Sequence, residues 1–98
     1  MKVVFTEAAL DDLKEILAFL AKNYPGVAPA VEARIGITIA RIGTWPESSR
    51  RVETGEDIRV APIVRYPYKV FYRITAQAVE ILHIHHAARQ DPWEQERS

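Results

Sequence analysis

The spacing of apolar side chains changes once along the 98-residue chain, and this change limits the folds open to it. Between residues 6 and 43, apolar residues recur every three or four positions, as they do on one face of a helix. Between residues 58 and 85, β-branched and aromatic residues form short runs that are typical of strands. Helices followed by a series of strands predict an α+β domain, with the helices packed on one face of an antiparallel sheet.

The first half of the chain predicts a strand and then a pair of helices. Residues 2–5 are β-branched or aromatic and predict a first strand that joins the sheet. Thr6 offers a side-chain oxygen that can cap the first helix, and Pro25-Gly26 ends it. Pro29 suits the first turn of a second helix, which ends near Gly43. The short turn between the two helices predicts an antiparallel αα-hairpin.

The second half predicts three strands. Residues 47–57 are polar and predict an exposed loop, after which strands are expected at residues 58–64, 68–74 and 79–85. Pro62 removes a backbone donor and therefore indicates a sheet edge or a bulge. The predicted order is β-α-α-β-β-β, with apolar groups on both faces of the last two strands. A chain of this length has room for one core, so residues 1–98 are predicted to form a single domain with a frayed tail at residues 94–98.

Composition excludes several classes of protein. The chain has no cysteine, which rules out disulfides, thiolate nucleophiles and cysteine-ligated zinc. The chain has 13 basic and 13 acidic residues. A protein that binds nucleic acid mainly through phosphates usually has an excess of basic residues. We find no glycine-rich phosphate loop, and no cofactor is predicted. Lack of cysteine, of a signal-peptide pattern and of a membrane span predicts a cytoplasmic protein.

The three histidines lie within four positions of one another, at 83, 85 and 86. On a strand, His83 and His85 would point to the same face, about 7 Å apart, which is a spacing that metals can use. The sequence offers no evident third ligand on that face, because Glu80 would point to the other one. No metal site is therefore predicted.

A second group of residues has the chemistry of an RNA-cleaving site. Cleavage needs a base for the 2′-hydroxyl, an acid for the leaving oxygen and cations around the phosphorane, and histidine and arginine can supply all three. Arginines are, however, ordinary on a half-exposed sheet, so a nuclease remains an alternative. Its candidate residues are Arg59, Arg65, Arg73, His83, His86 and Arg89.

The last two predicted strands and the segment after them resemble the C-terminal signature of the RelE/ParE toxin superfamily. Residues 70–74 and 79–85 match its two strands, and His86-Ala87-Ala88-Arg89 stands where the superfamily has histidine–glycine–alanine–arginine. The Thr6-capped helix and the Trp45-Pro46 loop are similar as well, so the resemblance covers nearly the whole chain. It implies the RelE/ParE toxin fold.

The resemblance favours the ParE branch over the RelE branch. RelE-like toxins are ribosome-dependent messenger-RNA endonucleases and are typically rich in lysine, whereas this chain has no lysine between Lys22 and Lys69. The segment from His86 to Arg89, followed by Asp91-Pro92, looks more like ParE, although Ala87 departs from the usual glycine. A ParE-like toxin implies inhibition of DNA gyrase and neutralisation by a ParD-like antitoxin in a hetero-oligomer. A RelE-like endonuclease that acts on ribosomes with mRNA is the alternative.

Two sets of binding residues follow as hypotheses. An antitoxin tail would lie in a groove beside the αα-hairpin and pair its acidic residues with arginines of the strands. That groove would be lined by Leu13, Leu17, Leu20, Val31 and Ile35, with Arg59, Arg65 and Arg73 nearby. The candidates for contact with the target are His86, Arg89 and Trp93.

Overall fold

A computed structural model describes residues 1–52 and 56–89, so Trp93 and the predicted tail at residues 94–98 lie outside the described residues. Within the described part, two helices and five strands follow one another. They are β1 (Val3–Phe5), α1 (Glu7–Asn23), α2 (Ala28–Thr44), β2 (Arg50–Arg51), β3 (Arg59–Pro62), β4 (Tyr68–Ile74) and β5 (Val79–His86). The α+β class, the αα-hairpin and the predicted order are confirmed, with β2 as an addition.

The five strands form one sheet in the order β1-β5-β4-β3-β2. Strands β2 to β5 pair antiparallel, as predicted, but β1 lies parallel to β5, so the sheet is mixed. The prediction that the first strand joins the sheet is confirmed, and its parallel direction is a feature that the prediction did not specify. No hairpin turn joins β1 to β5, so the connection between them does not require the two strands to run antiparallel. Their relative direction is set by how α1 packs on the sheet.

Thr6 joins the start of α1 to this edge of the sheet. Its Oγ1 accepts a hydrogen bond from the backbone N of Ala9, which caps the helix, and donates to the Ile81 carbonyl at 2.9 Å. The backbone N of Thr6 also donates to the Ile81 carbonyl. The predicted cap is therefore confirmed, and it also fixes the first turn of α1 against β5.

Two departures from the predicted strands have local causes. Strand β2 has only two residues, within the predicted loop, and Arg50 and Arg51 pair with Val60 and Arg59. Strand β3 ends at Pro62, two residues before the predicted end, because a turn follows in which Arg65 has a φ of 77°. Such short pieces carry too few residues for an apolar pattern to predict them.

The sheet carries an apolar cluster on each face. The larger cluster lies under the helices and includes Val31, Ile35, Tyr72 and Ile81. The smaller one comprises Val52, Ile58, Val60 and Phe71, with Leu82 packed against it. Adjacent residues Phe71 and Tyr72 belong to different clusters because successive side chains of a strand point to opposite faces. The expectation of apolar groups on both faces of the sheet is confirmed.

An irregularity in β5 decides which way its histidines point. Tyr72 pairs with Ile81 but Phe71 pairs with His83, so Leu82 is an extra residue in β5. With regular pairing, His83 would share the helix-covered face with Ile81. The bulge shifts the alternation by one and directs His83 and His85 to the face of Phe71.

No helix among the described residues combines the length and the apolar character that crossing a membrane requires.

Candidate functional site

Asp12 of α1 lies against the outer edge of β5, just past the point where β1 ends. Strand β1 pairs with β5 only as far as Ile81, so the backbone N–H of Ile84 needs another acceptor. The Oδ2 atom of Asp12 accepts that hydrogen bond at 3.0 Å. A helix carboxylate thus replaces the missing strand and is held in a fixed position.

Two imidazoles approach the same carboxylate oxygen. His83 Nδ1 lies 3.3 Å from Asp12 Oδ2, and His85 Nε2 lies 3.6 Å from it. The centres of the two rings are 5.1 Å apart. One potential ligand atom from each of the three residues lies within 4.8 Å of the other two. The His85 side chain is 3% exposed and that of His83 is 34% exposed. We call Asp12, His83 and His85 the Asp–His cluster.

The Asp–His cluster corrects one prediction from the sequence. The third potential ligand, judged absent from that face of the strand, comes from α1, 71 positions before His83. Asp12 shows no local signal of this role, because acidic residues in the first turns of a helix are common for reasons of the helix dipole. Only the packing of α1 on β5 brings it to the histidines.

A cleft of about 320 Å³ opens beside the cluster, between α1 and the ends of β4 and β5. Its lining is part apolar and part charged: Asp12, Glu15, Ile16, Phe19, Tyr68, Ile84, His85, His86 and Arg89. His86 and Arg89 meet at its rim, where the backbone N of Arg89 donates to the His86 carbonyl. The structure therefore brings together two of the three residues predicted to contact the target, and Trp93 lies outside the described residues.

The arginines predicted for a nuclease lie in different environments. Arg59 is buried, and its Nη1 donates to the carbonyl oxygens of Glu47 and Ser49 at 3.1 and 2.7 Å. Arg73 lies on the opposite face of the sheet, where its Nε donates to Glu80 Oε1 at 2.6 Å. Arg65 is exposed in the turn between β3 and β4.

The residues predicted to line an antitoxin groove divide into two sets. Leu20, Val31 and Ile35 are buried in the core of the isolated chain, so they serve the core rather than an open groove. Leu13 and Leu17 are partly exposed. The large apolar side chains that the hairpin does expose form a different set, which was not predicted to bind a partner: Leu10, Phe19, Tyr24, Val27 and Ile37.

Comparison with known proteins agrees with this architecture. The sequence profile of a family described as the ParE toxin of the type II toxin-antitoxin system, parDE, matches residues 3–91. The chain belongs to the ParE toxin family. It is also 37% identical over 93 residues to the toxin candidate Y4kP of Sinorhizobium fredii, a match that covers 93% of each chain. The protein is thus a ParE-family toxin of a type II toxin-antitoxin system.

Solved structures support the fold of this ParE-family toxin. A chain of the chromosomal ParDE toxin-antitoxin system from P. aeruginosa superposes with a TM-score of 0.74 at 18% identity, over 88% of this chain and 95% of that one. The isolated RelE toxin of E. coli superposes with a TM-score of 0.58 at 14% identity, over 98% and 94% of the two chains. At these identities the likeness concerns the fold, which the ParE and RelE branches share.

Proposed function

We propose that this ParE-family toxin acts in the cytoplasm by binding DNA gyrase and inhibiting it, and that a ParD-like antitoxin neutralises it in a hetero-oligomer. The observation that carries the proposal is the placement of Arg59 and Arg73, the two strand arginines among the six residues considered for RNA cleavage. Arg59 donates hydrogen bonds to backbone carbonyls inside the protein, and Arg73 is paired with the Glu80 carboxylate on the opposite face of the sheet.

Phosphoryl chemistry requires cations that meet around one phosphate. Transition-state charge is stabilised only by donors already aimed at the place where the charge develops. Arg59 points its guanidinium at two backbone carbonyls, and Glu80 offsets the charge of Arg73. The sheet face that Arg73 occupies also carries Phe71, whose ring centre lies 5.3 Å from the Lys69 ammonium and 5.9 Å from the centre of the His85 ring. The separation of Arg59 from Arg73 on opposite faces favours binding over catalysis.

The cleft between α1 and β5 suits contact with a protein target. Aromatic side chains beside an arginine are typical of the residues that dominate protein interfaces. Phe19 and Tyr68 supply the aromatic surface, and His86 and Arg89 supply polar groups at the rim. We therefore place the gyrase contact at this end of β5.

The distinguishing experiment is to express the toxin in cells and measure two responses in parallel. Gyrase inhibition predicts trapped DNA cleavage complexes and a DNA-damage response while translation continues. Co-expression of the cognate antitoxin should abolish both. Messenger RNA cut in the ribosomal A site, with the cutting lost in His86→Ala or Arg73→Ala, would overturn the proposal in favour of the RelE-like endonuclease.

Antitoxin binding should depend on two exposed arginines, Arg65 in the turn between β3 and β4 and Arg73 in β4. Arg65→Glu and Arg73→Glu are each expected to weaken the toxin–antitoxin complex by about 1–3 kcal/mol, or about 5- to 150-fold in Kd, if acidic antitoxin residues are desolvated against them. Isothermal titration with the purified antitoxin measures this effect. Lys22→Glu, an exposed charge reversal at the end of α1, is the matched control. Unchanged dissociation constants for both arginine variants would contradict the assignment.

A further inference from the structure

We propose that the Asp–His cluster is a binding site for a divalent zinc-type cation, with Asp12, His83 and His85 as three protein ligands and one position left open. Asp12 and His85 also line the cleft proposed for gyrase binding, but zinc affinity is measured without gyrase or antitoxin, so its test is independent of the proposed target.

The separations of the ligand atoms are close to those of a tetrahedral zinc site. Zinc–nitrogen and zinc–oxygen bonds of about 2.0–2.1 Å place tetrahedral ligand atoms about 3.3–3.4 Å apart. The oxygen of Asp12 lies 3.3 Å from His83 Nδ1 and 3.6 Å from His85 Nε2. All three ligand atoms lie within 4.8 Å of one another. The largest of these separations therefore exceeds the tetrahedral value by at most about 1.5 Å, which a side-chain rotation of the partly exposed His83 can reduce.

The donor set has the chemistry of a site for zinc rather than for magnesium or calcium. Two imidazole nitrogens suit zinc, copper and nickel, whereas magnesium and calcium prefer oxygen ligands throughout. Three protein ligands with an open fourth position are typical of zinc sites that bind a further group. In such a donor set the carboxylate also supplies one negative charge, which partly offsets the charge of the cation.

The backbone positions these three side chains before any cation binds. The bulge at Leu82 turns His83 and His85 to the same face, and bulges often re-aim side chains beside functional sites. The Ile84 N–H donates to Asp12 Oδ2, the same oxygen that faces the two histidines, and hydrogen bonds of this kind orient metal ligands. Thr6 also ties the start of α1 to β5, six residues before Asp12.

The cluster is both sheltered and reachable. His85 is almost fully buried, whereas His83 is 34% exposed and Asp12 14% exposed, which leaves a path from solvent. Asp12 and His85 also line the cleft between α1 and β5. A cation there can take water as its fourth ligand, or a side chain of a protein docked in the cleft.

The test is zinc affinity of the untagged full-length chain, measured by competition with a chromophoric chelator. The wild-type chain should bind one zinc ion. His83→Ala and Asp12→Asn should each weaken binding by about 100-fold or more, since even outer-shell changes at zinc sites cost 10- to 100-fold. Asp12→Asn retains an oxygen that can accept from the Ile84 N–H, so it tests the ligand and spares the fold. The matched control is His86→Ala, because His86 stands on the same strand outside the cluster, and its affinity should stay within about threefold.

Two further readouts separate a metal site from a hydrogen-bonded cluster. Cobalt(II) should give the intense visible absorption of tetrahedral coordination in the wild type and in His86→Ala, and lose it in His83→Ala. Zinc at about 100 times its Kd should raise Tm by about 10–20 °C, reversibly with a chelator. Wild-type binding no tighter than that of His83→Ala, or an equal loss in His86→Ala, would overturn the proposal.

Discussion

Replacing Tyr72 with alanine is expected to lower the free energy of unfolding by about 3–5 kcal/mol, as removal of a large core aromatic generally does. Tyr72 is fully buried under the helices, in the cluster that contains Ile81 and Val31. Its hydroxyl donates to the Pro46 carbonyl at 2.6 Å, so the side chain also anchors the segment after α2. Since domains of this size are stable by about 5–15 kcal/mol, the variant should be close to unfolding at 37 °C. Urea denaturation followed by circular dichroism measures the change.

A second variant separates the packing of the Tyr72 ring from its hydrogen bond. Tyr72→Phe keeps the ring and should cost about 1 kcal/mol, the usual net worth of one hydrogen bond. Tyr24→Ala is the control for loss of an exposed tyrosine at the end of α1 and should cost far less than Tyr72→Ala. Equal losses in Tyr72→Phe and Tyr72→Ala would show that the ring contributes little to the core, contrary to its burial.

Replacing Arg59 with methionine is expected to destabilise the free toxin by about 2–3 kcal/mol. Hydrogen bonds from charged donors are worth about 1.5–3 kcal/mol each, and part of that gain is offset by the cost of burying the charge. The Arg59 guanidinium holds the carbonyls of Glu47 and Ser49, so its loss should free the segment between α2 and β2. Urea denaturation gives the overall change, and hydrogen exchange should show faster exchange at residues 47–49.

The neighbour of Arg59 provides a matched control. Arg51 is its cross-strand partner but is exposed, and its ion pair with Asp57 is 3.2 Å long at the surface. Arg51→Met should therefore change stability by less than about 1 kcal/mol. The pair of variants also tests the hypothesis that Arg59 contacts the antitoxin. An unchanged stability of Arg59→Met together with a weaker antitoxin complex would support that contact and contradict the structural role.

The elements with strong local signals were predictable. The Thr6 cap and the leucine-rich stripe specify α1, and Pro25-Gly26 ends it, because capping and proline sterics act over a few residues. The aromatic and β-branched residues of β4 likewise favour a strand wherever both faces of the sheet are covered. The RelE/ParE resemblance rested on these same strands and their order, and the match to the ParE toxin family confirms it.

Residue environments within the candidate site were not predictable in the same way. Arg59 and Arg73 look alike in sequence, since both are arginines in or beside strand-like runs. Their faces differ because each is assigned by its cross-strand partner, Tyr72 for Arg59 and Glu80 for Arg73. A shift of one residue in the register of either strand would have moved its arginine to the other face. The nuclease and antitoxin hypotheses treated the two arginines as equivalent, and the structure shows that they are not.

The sequence by itself determined the helical hairpin, the strand meander and the family, because each depends on the spacing of residues close together in the chain. The tertiary structure alone decided the direction of β1, the bulge at Leu82 and the meeting of Asp12 with His83 and His85. The direction of β1 and the meeting of Asp12 with the histidines join residues more than 70 positions apart, whose contact depends on how α1 packs against β5, whereas the bulge depends on the pairing of β5 with β4. Periodicity describes which face of an element is apolar, but it carries no information about which distant side chain that element will meet.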